Sequence, residues 1–319
     1  MGRPVSVGVL AAVVAGGCAA LLETAAATSG MYPRLLHSAL VERVDLLTLQ
    51  ERQVEAWLEY EAEIGLPEDV LKAEQVMGGP DIIRSVKSGG GYHGVVAQRL
   101  GQSGPPQGVW VFDAEWQARG EVTGLPAHKP GLIYTISLYL DETGTRWAAV
   151  VAQAGEQSVT DVGLISPARL RFEPKLHYEG CSHVWLAWRG EHIAVSPSVG
   201  AESSNFILDF DPASGAGTVL YKEDVEGSGR APFGAIAVSP TGRYIAFGRA
   251  PYRPQREYGL WLLDTERGEC EKILWDETGL LDCVPMRWSG PDTLILRHTI
   301  GRGTSVRHQW HRATLRLPE

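Results

Sequence analysis

The chain has 319 residues, of which 44% are hydrophobic and 21% charged, with a formal net charge of −9. This is ample apolar material for one large or two ordinary packed domains. The acidic balance excludes general nucleic-acid binding, which needs a broad basic surface, and the absence of a Cys-x-x-Cys pair among the four cysteines excludes a zinc ribbon.

Arg3 is the sole charged side chain before Glu23, and Val5 to Leu22 is an unbroken run of apolar and small residues. Ala25-Ala26-Ala27 follows as a small-x-small cleavage pattern. This order of features is that of a secretory signal peptide. The run is also just long enough for a tilted membrane span, so residues 5–22 fit a retained tether as well. Lipid attachment at Cys18 is a poorer match, because Ala15 stands where a larger aliphatic is usual. The expected location is exported (periplasmic or extracellular) or membrane-anchored; translation from Met31 would make it cytoplasmic.

Residues 34–64 are expected to be helical, because Val54, Trp57, Leu58 and Ile64 keep a helical spacing. Glu51, Glu55, Glu59 and Glu63 form an i, i+4 stripe that reads as a solvated face. Pro67 can open a second, short helix reaching about Val76. Met77-Gly78-Gly79-Pro80 then breaks the pattern. The expected division is 1–30 signal or anchor, 31–79 helical segment and 80–319 a β domain.

Beyond Pro80 a unit repeats. Val238-Ser239-Pro240-Thr241-Gly242-Arg243-Tyr244-Ile245-Ala246-Phe247 has a counterpart in Leu140 to Val150, with weaker copies from Trp188 and from Trp288. Leu140, Trp188, Val238 and Trp288 recur at steps of 48, 50 and 50. In each copy an apolar residue ends one strand, a turn follows, and an apolar run forms the next strand. A third strand closed by Asp recurs at Asp113, Asp211 and Asp264, with a fourth strand after it. Four antiparallel strands in each unit of about 50 residues mark an all-β fold, a β-propeller. The count is about five blades: 81–127, 128–176, 177–223, 224–275 and 276–319. The first is the faintest, with Ile82-Ile83 and Gly94-Val95-Val96-Ala97 as its inner strands.

The Val238 to Phe247 segment closely resembles the blade signature of TolB-like (WD40-like, PD40-type) propellers, aromatic-Ser-Pro-Asp-Gly-basic-x-Ile-Ala-Phe. Here Thr241 replaces the usual Asp and Val238 the usual aromatic. Leu260-Trp261-Leu262-Leu263-Asp264-Thr265 is similar to the third strand and turn of that family. The resemblance covers about residues 81 to 319 and implies a WD40-like β-propeller. It does not imply an activity, because the signature shapes a turn.

Enzyme motifs are mostly missing. There is no Gly-x-Ser-x-Gly elbow, no His-Glu-x-x-His and no phosphate-binding loop, and no cofactor is expected. His308 and His311, three apart in a strand, point to opposite faces and make a poor metal pair. Asp211, like Asp113 and Asp264, is expected to satisfy the turn after the third strand; Asp209 would share a face with it. One asymmetry stands out. The connection between the second and third strands of the fourth blade carries Arg249, Tyr252, Arg253 and Arg256. Its fifth-blade neighbour carries Arg302, flanked by His298 and Arg307. Neighbouring cationic loops on an acidic protein either focus a positive field that suits an anionic or carboxylate-bearing partner, or are solvated loops offset by Glu223, Asp224 and Glu226 of the nearby connection.

These features favour a non-catalytic binding or scaffold protein that presents one loop face to a protein, peptide or glycan. The alternatives are a glycan-active hydrolase or lyase at the channel mouth, and a structural part of an envelope complex. Cys270 and Cys283 are either a bridge between neighbouring blades or, with Cys181, buried thiols.

Overall fold

The computed structural model describes residues 34–35, 41–46, 67–78, 82–98, 107–199, 205–223, 233–249, 259–275, 283–300, 307–315 and 317. Two strands, β1 (Arg34–Leu35) and β2 (Val41–Leu46), precede a helix, α1 (Pro67–Met77). Five antiparallel sheets follow. The first blade is β3 (Ile82–Gly89), β4 (Tyr92–Gln98), β5 (Gln107–Asp113) and β6 (Ala118–Glu121). The second is β7 (Ile133–Leu140), β8 (Trp147–Ala154), β9 (Val159–Ser166) and β10 (Arg171–Glu179). The third is β11 (Cys181–Arg189), β12 (His192–Val199), β13 (Asn205–Phe210) and β14 (Gly217–Glu223). The fourth is β15 (Phe233–Val238), β16 (Tyr244–Arg249), β17 (Gly259–Asp264) and β18 (Glu269–Trp275), with β1 added beyond β18. The fifth is β19 (Cys283–Trp288), β20 (Thr293–Ile300) and β21 (Arg307–Leu315), completed by β2. The chain is a β-propeller of five four-stranded blades.

Strand β8 shows why the blades stack. It reads Trp-Ala-Ala-Val-Val-Ala-Gln-Ala and is buried on both faces. Trp147, Ala149 and Val151 pack toward the first blade with Val96, Val109, Val111, Ile136 and Phe172. Ala148, Val150 and Ala152 pack toward the third with Val184, Leu186, Ile193 and Val195. A strand between two sheets reads as a continuous apolar run, because alternation is needed only where one face meets water. Trp147 is 1% exposed; a buried tryptophan of this kind contributes about 4–6 kcal/mol by area, as an upper bound.

The repeat landmarks occupy one structural position. Leu140, Trp188, Val238 and Trp288 stand at or next to the ends of β7, β11, β15 and β19, the first strands of blades two to five. Each pairs across its hairpin with an apolar residue of the second strand: Trp147, Ile193, Ile245 and Leu294. Each also faces the preceding blade. Trp188 Nε1 donates to the Tyr139 carbonyl at 3.2 Å, and Trp288 Nε1 donates to the Ala237 carbonyl at 3.2 Å. Tyr139 and Ala237 each immediately precede a landmark, so the same bond is made twice, two blades apart. Between the first and second blades the hairpin turns touch directly. A Cβ on Gly144 (φ +69) would lie 2.5 Å from the Gly89 Cα, so neither turn has room for a side chain.

The third-strand aspartates cap their turns as expected. Asp113 Oδ1 accepts from the Glu115 and Gln117 amides, Asp211 Oδ1 from the Ala213 amide, and Asp264 Oδ1 from the Glu266 and Arg267 amides.

Three expectations change. The expected helix over 34–64 is contradicted at Arg34–Leu35 and Val41–Leu46, which are strands; residues 47–66 lie outside the described residues. A register shift between Val41 and Arg43 breaks the two-residue period of β2, and Val41 and Val44 then mimic helical spacing. For the same reason the fifth blade takes its fourth strand from β2 and not from residues 276–319. Finally, of the two readings of Cys270 and Cys283, the bridge fails on the backbone. Cys270 stands at the β17–β18 turn end of its sheet, opposite Leu263, and Cys283 at the far end of the next sheet, opposite His298. Strands of this length put about 20 Å between such ends, well beyond disulfide reach.

Candidate functional site

A meander blade sends its β1–β2-type and β3–β4-type turns to one face and its central connections to the other, with the blade-to-blade connections. We call these the basal and apical faces. Arg249 is the last residue of β16, opposite Gly259 and Phe233. Arg307 opens β21 opposite Ile300, and His298 lies two residues inside the same end, opposite Gln309 and Cys283. Their backbones therefore reach the apical face of two adjacent blades, which pack through β15 and β19. Tyr252, Arg253, Arg256 and Arg302 lie outside the described residues, within the two connections these strands lead into.

On the basal face, three arginines are held by acids or carbonyls. Arg146 donates to Asp141 at 3.0 Å and reaches Glu191 of the next blade at 2.7 Å. Arg189 donates to the Gly242 carbonyl of the next blade at 2.6 Å and to Asp209 at 3.0 Å. Arg243 grips Asp264 at 2.8 Å through Nη2. Hydrogen bonds from Arg243 hold the Asp264 carboxyl below the usual range against the opposing effect of burial, with help from the Arg267 and Glu266 amides. Asp141 is also lowered: burial raises it, and the hydrogen bonds from Arg146 and Thr143 outweigh that. Asp209 does not join Asp211. It accepts from Arg189 and from His192 Nδ1, both at 3.0 Å, while Asp211 serves its own turn. This basal belt ties blades together.

Two polar features escaped the sequence reading. His183 on β11 has its Nε2 buried without a partner, and burial lowers its pKa to about 4. It packs edge-on against Trp185, 4.3 Å between centroids. The second feature is a cluster at the start of the first blade. Ser88 Oγ donates to Asp69 Oδ2 of α1 at 2.7 Å and lies 2.7 Å from His93 Nδ1. The His93 ring stacks on Trp116, 4.0 Å between centroids and 12° between planes. Ser88 pairs with His93 across the hairpin, the position that Trp188–Ile193 and Trp288–Leu294 hold elsewhere. The register could have shown this had the turn at Gly89-Gly90-Gly91 been aligned with the others. Among the described residues no group of three His, Cys, Asp or Glu side chains is placed to hold a metal ion, and no helix is long and apolar enough to cross a membrane.

No known protein-family model matches the chain, and no curated protein matches it. Solved structures are similar in outline. TolB from Acinetobacter baumannii matches with a TM-score of 0.47 at 13% identity, over 73% of this chain and 55% of that one. A putative TolB from Agrobacterium tumefaciens matches with a TM-score of 0.45 at 12% identity, over 73% and 77%. An acylaminoacyl peptidase of Pyrococcus horikoshii matches with a TM-score of 0.47 at 14% identity, over 74% and 39%. The chain thus spans about half of the Acinetobacter protein and less of the peptidase. Similarity at this level carries no argument about activity, and the propeller assignment rests on strand order and packing.

Proposed function

We propose that the protein is a non-catalytic, extracytoplasmic binding or scaffold propeller whose apical loops on blades four and five capture an anionic partner. The carrying observation is that the two cation-bearing connections rise from adjacent blades, at Arg249 and Arg307. Basal arginines 146, 189 and 243 are engaged by acids or carbonyls. Guanidinium groups beside tyrosine suit carboxylate-bearing protein, peptide or glycan chains. A scaffold of stacked blades with its loops on one face suits capture without rearrangement. The TolB-like blade motif and the apolar run at residues 5–22 fit an exported or membrane-tethered setting.

The test is retention of the full chain on immobilised polyglutamate and polygalacturonate at low salt. An Arg253→Ala/Arg302→Ala double variant is expected to elute early from whichever matrix holds the wild type, with an unchanged melting temperature. Equal retention of both proteins, or wild-type retention on neither matrix, would remove the reading.

A further inference from the structure

The central ladder of a blade joins its second strand to its third. In the first, second, fourth and fifth blades it has seven, seven, six and eight residue pairs, and it runs to the apical end of the strands or next to it. In the third blade it has three pairs, Ile193↔Phe210, Ala194↔Asp209 and Val195↔Leu208, and stops halfway. Beyond that point Ser196 to Val199 stay paired with β11, and Asn205 to Ile207 stay paired with β14. The apical half of the third blade is therefore two hairpins side by side, with no ladder between them. Pro197 lies in this stretch, and a proline has no N–H to give to a ladder.

Packing against the fourth blade holds the hairpins together there. Ala194 of β12 and Ile207 of β13 are buried with Ile236, Ile245 and Phe247, and Trp185 and Ala187 of β11 join them. The same seam contains two buried polar atoms with no hydrogen-bond partner among the described residues, Nε2 of His183 and Oγ of Ser196. Ser196 is 0% exposed. Residues opposite each other across a ladder share a face, and so do residues two apart along a strand. His183 lies opposite Ser198, and Ser196 lies opposite Trp185. The two orphaned atoms are thus diagonal neighbours on the face that meets the fourth blade.

No counter-charge faces His183 among the described residues. In its own seam the titratable side chains are Tyr221 of β14 and Cys270 of β18, and Arg249, at the apical end of β16, is itself a cation. Across β11 the second blade presents Tyr139 and Tyr178, and Asp161 of β9 is held by His177 at 2.7 Å. Arg189 and Asp209 bond to each other toward the basal end. Burial alone acts on the imidazole and lowers its pKa to about 4.

We propose that the apical half of the third blade is an acid-opened hinge: a proton taken up by His183 parts the seam with the fourth blade and lets the β11–β12 and β13–β14 hairpins separate. An imidazolium in this apolar seam is an unpaired buried charge, whereas in the opened seam water solvates it. Opening therefore takes up a proton and is favoured as pH falls below the ordinary histidine value of 6.5. In the other blades, opening at this level must also break ladder pairs; here it breaks none. The hinge does not depend on the reading of the apical loops.

The test is amide hydrogen exchange of the full chain at pH 7 and pH 5, read by mass spectrometry and corrected for the intrinsic pH dependence of exchange. Protection of residues 183–186, 196–199 and 205–207 should fall about tenfold or more at pH 5. The reference is β4–β5, a full ladder in a blade where Ala73 of α1 packs on Val86, Val95, Ala97 and Phe112; its protection should not change. In His183→Gln the two pH values should give equal protection. In His183→Arg protection should already be low at pH 7; if that variant does not fold, the glutamine variant decides. Equal loss in every blade, no loss in the wild type, or a full acid response in His183→Gln would overturn the proposal.

Discussion

The first blade and the four that follow solve the same packing problem in different ways. Blades two to five each cover the preceding sheet with an apolar side chain at the end of the first strand, and two of these, Trp188 and Trp288, add an indole hydrogen bond to a neighbouring carbonyl. The first blade has Ser88 and His93 there and is covered by α1. A sheet face must be buried against something. The difference shows that a helix whose Asp69 carboxylate meets the sheet can replace a sheet, provided the register position facing it turns polar.

This comparison can be broken or sharpened at several sites. The largest effect is expected where two seams share a strand. Trp147→Ala removes a fully buried ring between the first and second blades and should cost about 3–5 kcal/mol in chemical denaturation. A loss below about 1 kcal/mol would mean that the seam is not packed as described.

Next is acid sensitivity at the third and fourth blades. His183 is held neutral, its pKa lowered by burial to about 4 from an ordinary 6.5. The unfolded chain therefore takes up the proton first as pH falls. Stability present above about pH 6.5 should decline by a few kcal/mol on the way down to pH 4. His183→Leu should flatten that part of the stability–pH curve. An unchanged slope in the variant would place the titrating group elsewhere.

Smaller effects come from the landmarks themselves. Trp188→Phe and Trp288→Phe each delete one indole donor and leave a carbonyl short of its partner, which should cost about 1–2 kcal/mol in thermal melts. Ser88→Ala, at an exposed site, should cost less than about 1 kcal/mol overall. Its effect should be confined to α1. An equal loss at all three sites would erase the distinction between the first blade and the rest.

Much of this was legible in the sequence because the landmarks repeat in register. Leu140, Trp188, Val238 and Trp288 share one position, and Asp113, Asp211 and Asp264 cap equivalent turns. A hairpin turn is a local event, so local sequence specifies it. What was hidden is non-local. β2 joins β21 across the length of the chain, and a bulge disguises its period. α1 reads as an ordinary short helix, and only the fold brings its Asp69 to Ser88. The polar pair made the first blade look faint, because it lacks the apolar signal that marks the other four. The cationic apical loops were visible as composition; the strand ends at Arg249 and Arg307 add that they rise from adjacent blades.

The most direct measurement is hydrogen exchange followed by mass spectrometry, comparing β3–β4 with β11–β12 in the wild type and in Ala73→Glu. Faster exchange in β3–β4 of the variant, with β11–β12 unaltered, is the predicted result. Exchange that accelerates equally in both hairpins, or in neither, would contradict a first blade sealed by a helix beside four sealed by their neighbours.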